Sequence, residues 1–345
     1  MKERERAGIR VFVSEIGEFG LIERLKAIIE RSDETVMVGI GDDAAVVTYN
    51  RPVVMTTDAM VQGVHFREDL IDAFSTGYKA IAASVSDIAC MGACPKHALV
   101  TLAVPKDTLV EFVVSLYEGM RQACDDFCVT VVGGDVVSTT GPLLVSVTAT
   151  GELLGDKPLL RSGAKPGDLV FVTGDIGGSA AYLHLMEYQS AAVLAPEDVA
   201  ILQERHQRPV AQVRVGELLA HFEGCTSTND ISDGLASELH EIASASDVSI
   251  LIEAYRIKTL PALRHYARLA HVDALMFALY GGEDYQIVGT VRQDRSGALL
   301  AMCELQGIQV TLIGRVEDAS PCVEMMRDGR RIELKKGGYD HFLPS

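Results

Sequence analysis

Apolar positions in the first half of the chain change repeatedly between helical and strand-like spacing. Three stretches carry apolar side chains every three or four positions and predict amphipathic helices: 18–30, 76–91 and 109–127. Shorter β-like runs lie around and between them, at 36–38, 44–49, 53–57, 98–104, 129–132 and 143–150. This alternation predicts a mixed α/β fold.

A break in the pattern predicts two domains. The segment from Gly155 to Gly167 is rich in Gly and Pro and poor in large apolar side chains, which is typical of a connection between domains. A further strand and three helices are predicted beyond it, at 169–173, 180–187, 196–204 and 210–221. With 345 residues, two domains are expected rather than one. We predict an α/β (α+β) protein with domains at 1–155 and 156–345.

Composition excludes several classes of protein. Hydrophobic residues make up 48% and charged residues 23%, which excludes wholesale disorder. The formal net charge of −17 argues against nucleic acid as a partner, because phosphates would be repelled. No apolar run approaches the roughly 18 residues of a membrane span, and no apolar targeting segment follows the charged start. Seven cysteines do not suggest a secreted disulfide scaffold, so we expect a cytoplasmic protein without a membrane partner.

Four of the cysteines form two C-x3-C pairs, Cys90 with Cys94 and Cys124 with Cys128. The pairs are compatible with a zinc site, although zinc ligands usually have shorter spacings in Gly-rich turns. The simpler interpretation places each pair at the C-terminal end of a helix, where Cys serves as a small apolar residue.

Carboxylates recur directly after apolar, strand-like runs. Five such places have Gly or a small polar residue before the acid: 39–43, 56–58, 133–135, 229–234 and 281–284. Asp87 adds a carboxylate on a predicted helix. Each Asp alone has a simpler explanation as a turn or capping residue, as for Asp233 before the helix that carries Leu235. Together, however, carboxylates at strand ends would repel one another unless cations were bound, which predicts Mg2+ or Mn2+.

Three common nucleotide or calcium motifs are excluded. Residues 39–44 fit G-x-G-x-x-A, but a strand rather than a helix is predicted next, and Asp42 and Asp43 occupy the place of the phosphate. Residues 230–234 lack the alternating ligands and the closing Glu of an EF-hand. The chain has no Gly-Lys dipeptide and therefore no Walker A loop.

A site that holds several divalent ions but lacks a Walker A loop suits phosphoryl transfer to an acceptor that is itself an anion. Two unit charges about 5 Å apart repel by roughly 3 kcal/mol at an effective dielectric near 20. Bridging metals cancel that repulsion and align the attack. A phosphate oxygen is already ionised, so no dedicated catalytic base is expected, and the sequence offers no Ser-His-Asp or Cys-His constellation.

These motifs resemble the thiamine-monophosphate kinase family. The likeness runs from Gly17 almost to the C-terminus, and the motifs occur in the family's order: 39–45, 57–58, 63–66, 86–93, 133–135, 161–168, 230–234, 281–285 and 338–342. This family belongs to the superfamily of aminoimidazole-ribonucleotide synthetase, selenophosphate synthetase and a hydrogenase-maturation protein.

The resemblance implies phosphorylation of thiamine monophosphate to thiamine diphosphate with ATP and several Mg2+ ions. It also implies an N-terminal ferredoxin-like domain whose sheet joins that of a second copy in a homodimeric β-barrel, a C-terminal α/β domain, and a nucleotide cleft between the domains. The Mg2+ ligands implied by the family are Asp43, Thr56, Thr57, Asp58, Asp87, Asp135, Asp230 and Asp233. The implied ATP contacts are Gly134, Asp135, Arg161 and Ser232, and the implied contacts to thiamine monophosphate are His65, Glu283 and Tyr339.

Most of these roles have simpler alternatives. Arg161 can fork onto phosphate oxygens or be an exposed linker residue. Gly134 permits close approach of a phosphate or forms part of a plain turn. Glu283 and Tyr339 offer negative charge and an aromatic face to a thiazolium cation, whereas Tyr339 is otherwise a ring packed at the C-terminus. Thr56 stands where Ser is common in relatives and retains the hydroxyl.

Two other functions stay open. One is a sister ATP-using synthetase, against which the 281–285 and 338–342 segments count. The first cysteine, Cys90, lies in a predicted helix and not in the Gly-rich N-terminal segment that selenophosphate synthetases carry. The other is an acidic, non-catalytic metal-binding protein. ATP turnover stimulated by thiamine monophosphate separates these possibilities.

Overall fold

The computed structural model describes residues 10–188 and 194–337, which form two compact units. The first unit comprises the described residues up to Ile88 together with Cys94–Glu152, and the second comprises Ala89–Ala93 together with the residues from Leu153 onward. Among the described residues, every helix is too short or too polar to span a bilayer. The roles assigned from the sequence to domains 1–155 and 156–345 stay predictions.

The first unit is built from helices and strands that alternate along the chain. They are α1 (Val13–Ile29), β1 (Val36–Val38), β2 (Val46–Val47), β3 (Val53–Val61), α2 (Ala73–Cys90), β4 (Ala93–Pro105), α3 (Val110–Phe127), β5 (Thr130–Thr139) and β6 (Leu144–Leu153). Strands β1 and β2 form a separate two-stranded sheet, whereas the other four form an open sheet in the order β3-β6-β4-β5. Strands β3 and β5 are therefore the two edges of this sheet.

Register and alternation decide which side chains of this sheet face the helices. Strand β3 pairs antiparallel with β6 from Val53↔Glu152 to Val61↔Leu144, and β4 pairs parallel with β5. Residues of β6 alternate between buried and half-buried along the whole strand. Because successive side chains of a strand point to opposite faces, Thr56 and Asp58 lie on one face of β3 and Thr57 on the other.

Helices α2 and α3 meet at two glycines. A Cβ built on Gly77 of α2 would lie 1.8 Å from the carbonyl oxygen of Leu116, and one built on Gly119 of α3 would lie 1.8 Å from that of Phe74. Real Cβ atoms essentially never approach another atom this closely. The two helices can therefore pack backbone to backbone only because these positions lack side chains.

The second unit places helices on both faces of a seven-stranded sheet. Its elements are β7 (Leu169–Thr173), α4 (Gly178–Glu187), α5 (Pro196–Gln207), α6 (Val213–Ala220), β8 (Cys225–Asp230), α7 (Leu235–Ser246), β9 (Ser249–Glu253), α8 (Pro261–Ala270), α9 (Ala274–Tyr280), β10 (Ile287–Val291), α10 (Ser296–Leu305), β11 (Val310–Glu317), β12 (Cys322–Arg327) and β13 (Arg330–Glu333). The strand order is β13-β12-β9-β11-β7-β10-β8. Buried side chains of α7 and α9 cover one face, and those of α6 and α10 cover the other.

The structure confirms the mixed α/β class and corrects some expected positions. Residues 56–58 and 133–135 lie inside β3 and β5 and not at strand ends, because β-favouring residues continue beyond the acids. Strand β2 covers only Val46–Val47 of the predicted 44–49. Among the described residues, no strand closes the four-stranded sheet into a barrel.

The cysteine pairs follow their simpler interpretation only in part. Cys90 is the last residue of α2, and Cys128 follows α3 as its C-cap. Cys94 lies in β4, so its expected place at the end of a helix is wrong. All seven cysteines are free thiols.

Candidate active site

Two predicted metal ligands of the first unit approach each other between β3 and α2. Thr56 Oγ1 donates to Asp87 Oδ2 at 2.5 Å, and Ser84 Oγ donates to Asp58 Oδ2 at 2.7 Å. Burial raises the pKa of Asp58, and the negative charge of Asp87 raises it further, against the hydrogen bond from Ser84. Two half-buried carboxylates that repel each other, with hydroxyl oxygens beside them, form a donor set that fits Mg2+.

The remaining predicted residues of the first unit lie elsewhere. Asp135 is in register with Thr101 on edge strand β5, and two strands separate it from β3. At about 4.8 Å for each strand step, the two edges are about 14 Å apart. Thr57 faces away from Asp58, and its hydroxyl lies 3.0 Å from that of Thr148. Asp43 is an exposed residue between β1 and β2. Within one copy of the first unit, these three predicted ligands therefore lie on β5, on the other face of β3 and between β1 and β2.

A cavity of about 110 Å³ adjoins Gly134 and Asp135. Apolar side chains of α1 and of the neighbouring strands line most of it, and Lys26 and Tyr117 also contribute. Gly134 is required here by packing, because a Cβ would lie 1.9 Å from the carbonyl oxygen of Val100 on β4. The absence of a side chain thus has a structural reason, and contact of Gly134 with ATP stays a prediction.

His65 belongs to the turn that follows β3. Its Nδ1 accepts a hydrogen bond from the backbone N–H of Val61 at 3.0 Å, in a turn that contains Gly63 with a φ of 82°. This contact fixes one ring nitrogen toward the backbone. The predicted substrate residue Tyr339 lies outside the described residues.

In the second unit, the loop after β8 and the loop before β10 contact each other directly. Glu283 N–H donates to the carbonyl of Ser232 at 2.7 Å, and Tyr285 N–H donates to that of Ile231 at 2.9 Å. Glu283 and Tyr285 have φ angles of 62° and 48°, a conformation that non-glycine residues rarely adopt. A Cβ on Gly282 would lie 2.2 Å from the carbonyl oxygen of Ser232. The structure therefore brings the predicted ATP contact Ser232 next to the predicted substrate contact Glu283.

A buried acid that the sequence did not single out organises the loop after β8. Glu238 is 2% exposed, and its Oε1 accepts a hydrogen bond from Asp233 N–H at 3.0 Å. Burial raises the pKa of Glu238 to about 8, an effect that the Asp233 bond opposes and the charge of Asp230 reinforces. The only signal in the sequence was its helical spacing from Leu235, which places an acid on the apolar stripe of α7.

The simple capping role considered for Asp233 is wrong. The N-cap of α7 is Gly234, with a φ of 115° and no side-chain cap. Asp230, at the end of β8, is buried, whereas Asp233 is half-buried. Both charges act on Glu238. They therefore form a second group of carboxylates, within the second unit.

Arg161 is exposed, as the linker alternative expects, but its guanidinium group is held by two partners. Its Nε–H donates to Asn229 Oδ1 at 2.9 Å, and its Nη1 lies 3.1 Å from Glu241 Oε2. The amide nitrogen of Asn229 donates in turn to Glu238. A continuous set of hydrogen bonds thus connects Arg161 with the loop that carries Ser232.

Glu283 has two polar neighbours that the sequence did not reveal. His206 Nδ1 lies 2.9 Å from Ser179 Oγ and 3.4 Å from Glu283 Oε2, and the imidazole stacks on Tyr182. The adjacent Asp284 accepts the Gly177 N–H at 2.6 Å, and burial raises its pKa to about 7. No motif connects residues 179, 206 and 283 in the sequence, so only the fold reveals this group.

The predicted metal ligands do not form one compact cluster. Within residues 10–188 and 194–337, no three His, Cys, Asp or Glu side chains are arranged to hold a single ion. This finding also removes the support for a zinc site at the cysteine pairs. The donors that are present are carboxylate and hydroxyl oxygens, which suit Mg2+ when water and phosphate oxygens supply the other ligands.

The sequence and the fold are those of a known family. The chain matches the models for AIR synthase related protein, N-terminal domain, over residues 41–153 and for the C-terminal domain over residues 165–324. The chain therefore belongs to the AIR synthase related family.

Comparison with individual relatives shows where the chain belongs within this family. The chain is 39% identical over 311 residues to thiamine-monophosphate kinase of Bacillus subtilis, covering 89% of this chain and 94% of the relative. The crystal structure of thiamine-monophosphate kinase from Stenotrophomonas maltophilia has a TM-score of 0.79 at 33% identity and covers 91% of this chain and 97% of that one. AaThiL complexed with AMPPCP and TMP has a TM-score of 0.75 at 32% identity and covers 96% and 99%. Within the family, the chain belongs with the thiamine-monophosphate kinases.

Proposed function

We propose that this chain transfers the γ-phosphoryl group of ATP to thiamine monophosphate and so forms thiamine diphosphate. The observation that carries the proposal is the contact between the 230–234 and 281–285 loops. It brings Ser232, the proposed contact to ATP, next to Glu283, the proposed contact to thiamine monophosphate. The similarity to AaThiL complexed with AMPPCP and TMP supports the same pair of substrates.

Residues of this chain explain how two polyanions, ATP and thiamine monophosphate, are bound. Arg161 contributes a fixed positive charge whose planar fork matches phosphate oxygens. Glu283 offers a negative charge to the thiazolium cation, held by contacts with Ser179 and His206. The attacking phosphate oxygen is already ionised at neutral pH, so none of these residues has to remove a proton from it.

Asp58 and Asp87, with Thr56, are the residues proposed to hold Mg2+ in the first unit, and Asp230 and Asp233 are those in the second. Bound Mg2+ would neutralise the charge that develops between the two phosphate groups. The raised pKa of Asp58 supports this assignment, because burial and, after it, the charge of Asp87 make the ionised carboxylate unfavourable without a cation.

The cavity beside Gly134 is proposed to receive the adenine base. Its mainly apolar walls suit a flat heterocycle, and its small size matches a part of a nucleotide rather than the whole. Asp135 at its rim is then positioned for the metal ions that accompany the phosphates.

A cytoplasmic location is consistent with ATP as the co-substrate.

A homodimer would bring the divided ligands together. Strands β3 and β5 are free edges of the four-stranded sheet, and its outer face exposes apolar residues, including Met55 at 68% and Val137 at 43%. Such edges and faces favour pairing with a second sheet. If edge β3 of one copy adjoins edge β5 of another, the strand that carries Asp135 in the second copy lies next to the strand that carries Asp58.

A coupled kinase assay tests the proposal by comparing two phosphoryl acceptors, thiamine monophosphate and free thiamine. ATP turnover should be stimulated by thiamine monophosphate in the presence of Mg2+, with thiamine diphosphate as the product. Free thiamine should not replace the substrate, because it lacks the anionic nucleophile. Equal turnover with thiamine would overturn the proposed chemistry, and nucleotide binding without any turnover would indicate a non-catalytic protein.

A further inference from the structure

The hairpin that carries Asp43 depends on anchors outside itself. In the part of the chain that the structure describes, strands β1 and β2 pair only with each other, at Val36↔Val47 and Val38↔Val46. A two-stranded ladder of this length is marginally stable in water. The position of Asp43 therefore depends on contacts with the rest of the unit. Lys26 of α1 lies beside Gly41 at the tip, and further contacts hold the two ends of the hairpin.

Both ends contact one buried side chain, His97 of β4. Its Nε2 lies 2.8 Å from Oγ1 of Thr35, the residue before β1, and its Nδ1 lies 2.8 Å from the hydroxyl of Tyr49, two residues after β2. The rings of Tyr49 and His97 also meet edge to face, with centroids 5.3 Å apart. His97 is only 2% exposed, so water does not compete for these bonds.

The surrounding groups define the direction of the two bonds. Thr35 Oγ1 donates to Asp33 Oδ1 at 2.6 Å, so its oxygen is left to accept from Nε2–H of His97. Nδ1 then accepts from the hydroxyl of Tyr49. Burial lowers the pKa of His97, against the charge of Asp33, and a neutral imidazole supplies one donor and one acceptor. Asp33 also accepts from Thr130 of β5 at 2.8 Å, which connects the anchor to the sheet.

We propose that His97 is a positioning residue that clamps the 36–48 hairpin at both ends and thereby fixes Asp43 for metal binding. The clamp itself follows from the contacts of the first unit alone. Its connection to metal binding rests on the proposed function and on the role as a Mg2+ ligand that the family resemblance implies for Asp43.

The test compares His97→Phe with the unchanged full-length chain. Phe keeps a planar ring and removes both nitrogens, so hydrogen exchange measured by mass spectrometry should accelerate about tenfold in peptides from 36–48, as expected for the loss of two typical hydrogen bonds. The Mg2+ concentration for half-maximal turnover should rise by a similar factor, whereas kcat at saturating Mg2+ should change little, because excess ligand restores the competent population.

Two further variants separate the clamp from general loss of stability. Tyr49→Phe removes the hydroxyl that bonds Nδ1 and also lies 2.6 Å from Thr150 Oγ1 of β6. It keeps the bond between His97 and Thr35 and should give a smaller change of the same kind. Thr290→Val removes buried hydrogen bonds at 2.7 Å to Thr226 and Ser227 in the second unit. It should lower the melting temperature without changing hairpin exchange or the Mg2+ requirement.

The outcomes distinguish the clamp from the proposed function. Unchanged exchange in the 36–48 peptides of both His97→Phe and Tyr49→Phe would overturn the clamp, whatever the activity of the protein. Faster hairpin exchange with an unchanged Mg2+ requirement would overturn the role given to Asp43. Faster exchange in a chain that never phosphorylates thiamine monophosphate would leave the clamp standing and overturn the proposed function.

Discussion

For the pair formed by Asp58 and Asp87, we predict that removing one charge raises the stability of the metal-free protein and lowers its kinase activity. Asp58→Asn retains an oxygen for the hydroxyl of Ser84 but removes one of the two charges. At a separation of about 6 Å and an effective dielectric of about 20, two carboxylates repel by about 3 kcal/mol. Because Asp58 is only half-buried, screening reduces this value, and we expect a gain of about 1 kcal/mol in metal-free stability.

The dependence of this gain on pH follows from the raised pKa of Asp58. A carboxyl group whose pKa is higher in the folded protein than in the unfolded chain destabilises the fold when it ionises. The gain of Asp58→Asn should therefore be present at neutral pH and disappear as the pH falls toward the ordinary Asp value of 3.8. Kinase activity should fall at least about 100-fold, because a metal ligand contributes several kcal/mol to the transition state.

Thermal unfolding in EDTA and in Mg2+ measures the first effect, and a coupled kinase assay measures the second. Asp69→Asn is a matched control, because it removes the same charge from an exposed residue whose carboxylate pairs with Arg67 at 2.6 Å. It should show neither effect. An Asp58→Asn protein that is less stable without metal, or that keeps normal Mg2+-dependent turnover, would refute the reasoning.

Three further predictions concern packing, pH and the substrate. Gly77→Ala should lower the free energy of unfolding, measured with denaturant, by at least about 2 kcal/mol through overpacking. The same substitution at the open helical position Gly297 should raise it by about 0.5–1 kcal/mol. Equal effects of the two substitutions would contradict the close approach of α2 and α3. Because the pKa of Glu238 is raised from 4.5 to about 8, stability should fall as the pH rises between these two values and level off above pH 8, and Glu238→Gln should remove this slope. Glu283→Gln should raise KM for thiamine monophosphate about tenfold or more and leave KM for ATP nearly unchanged.

Much of the fold could be predicted because it follows local patterns. The stripe of α3 buries the apolar side chains that the helical spacing selects, including Val113, Leu116 and Met120. The end of β5 was missed because a Gly-Gly-Asp sequence usually ends a strand. Here β4 lies so close that only Gly fits at position 134, and the strand continues.

The candidate site could be predicted less completely, for a physical reason. Residues close in the sequence, such as Ser232 and Asp233, can be singled out because their motif is local, and their roles stay predictions. Asn229 and Glu238 connect Arg161 to this loop only through tertiary hydrogen bonds, which no spacing reveals. The division of Asp58 and Asp135 between opposite sheet edges depends on strand order, which the sequence does not specify.

The central claim is that the acidic residues bind divalent ions that let one polyanion react with another. Electron paramagnetic resonance with Mn2+ in place of Mg2+ tests it most directly, in the presence of thiamine monophosphate and a non-hydrolysable ATP analogue. The account predicts tight Mn2+ binding with phosphorus couplings from both ligands, and loss of bound Mn2+ in Asp87→Asn. Mn2+ that couples to the nucleotide alone, or equal binding in Asp87→Asn, would contradict it.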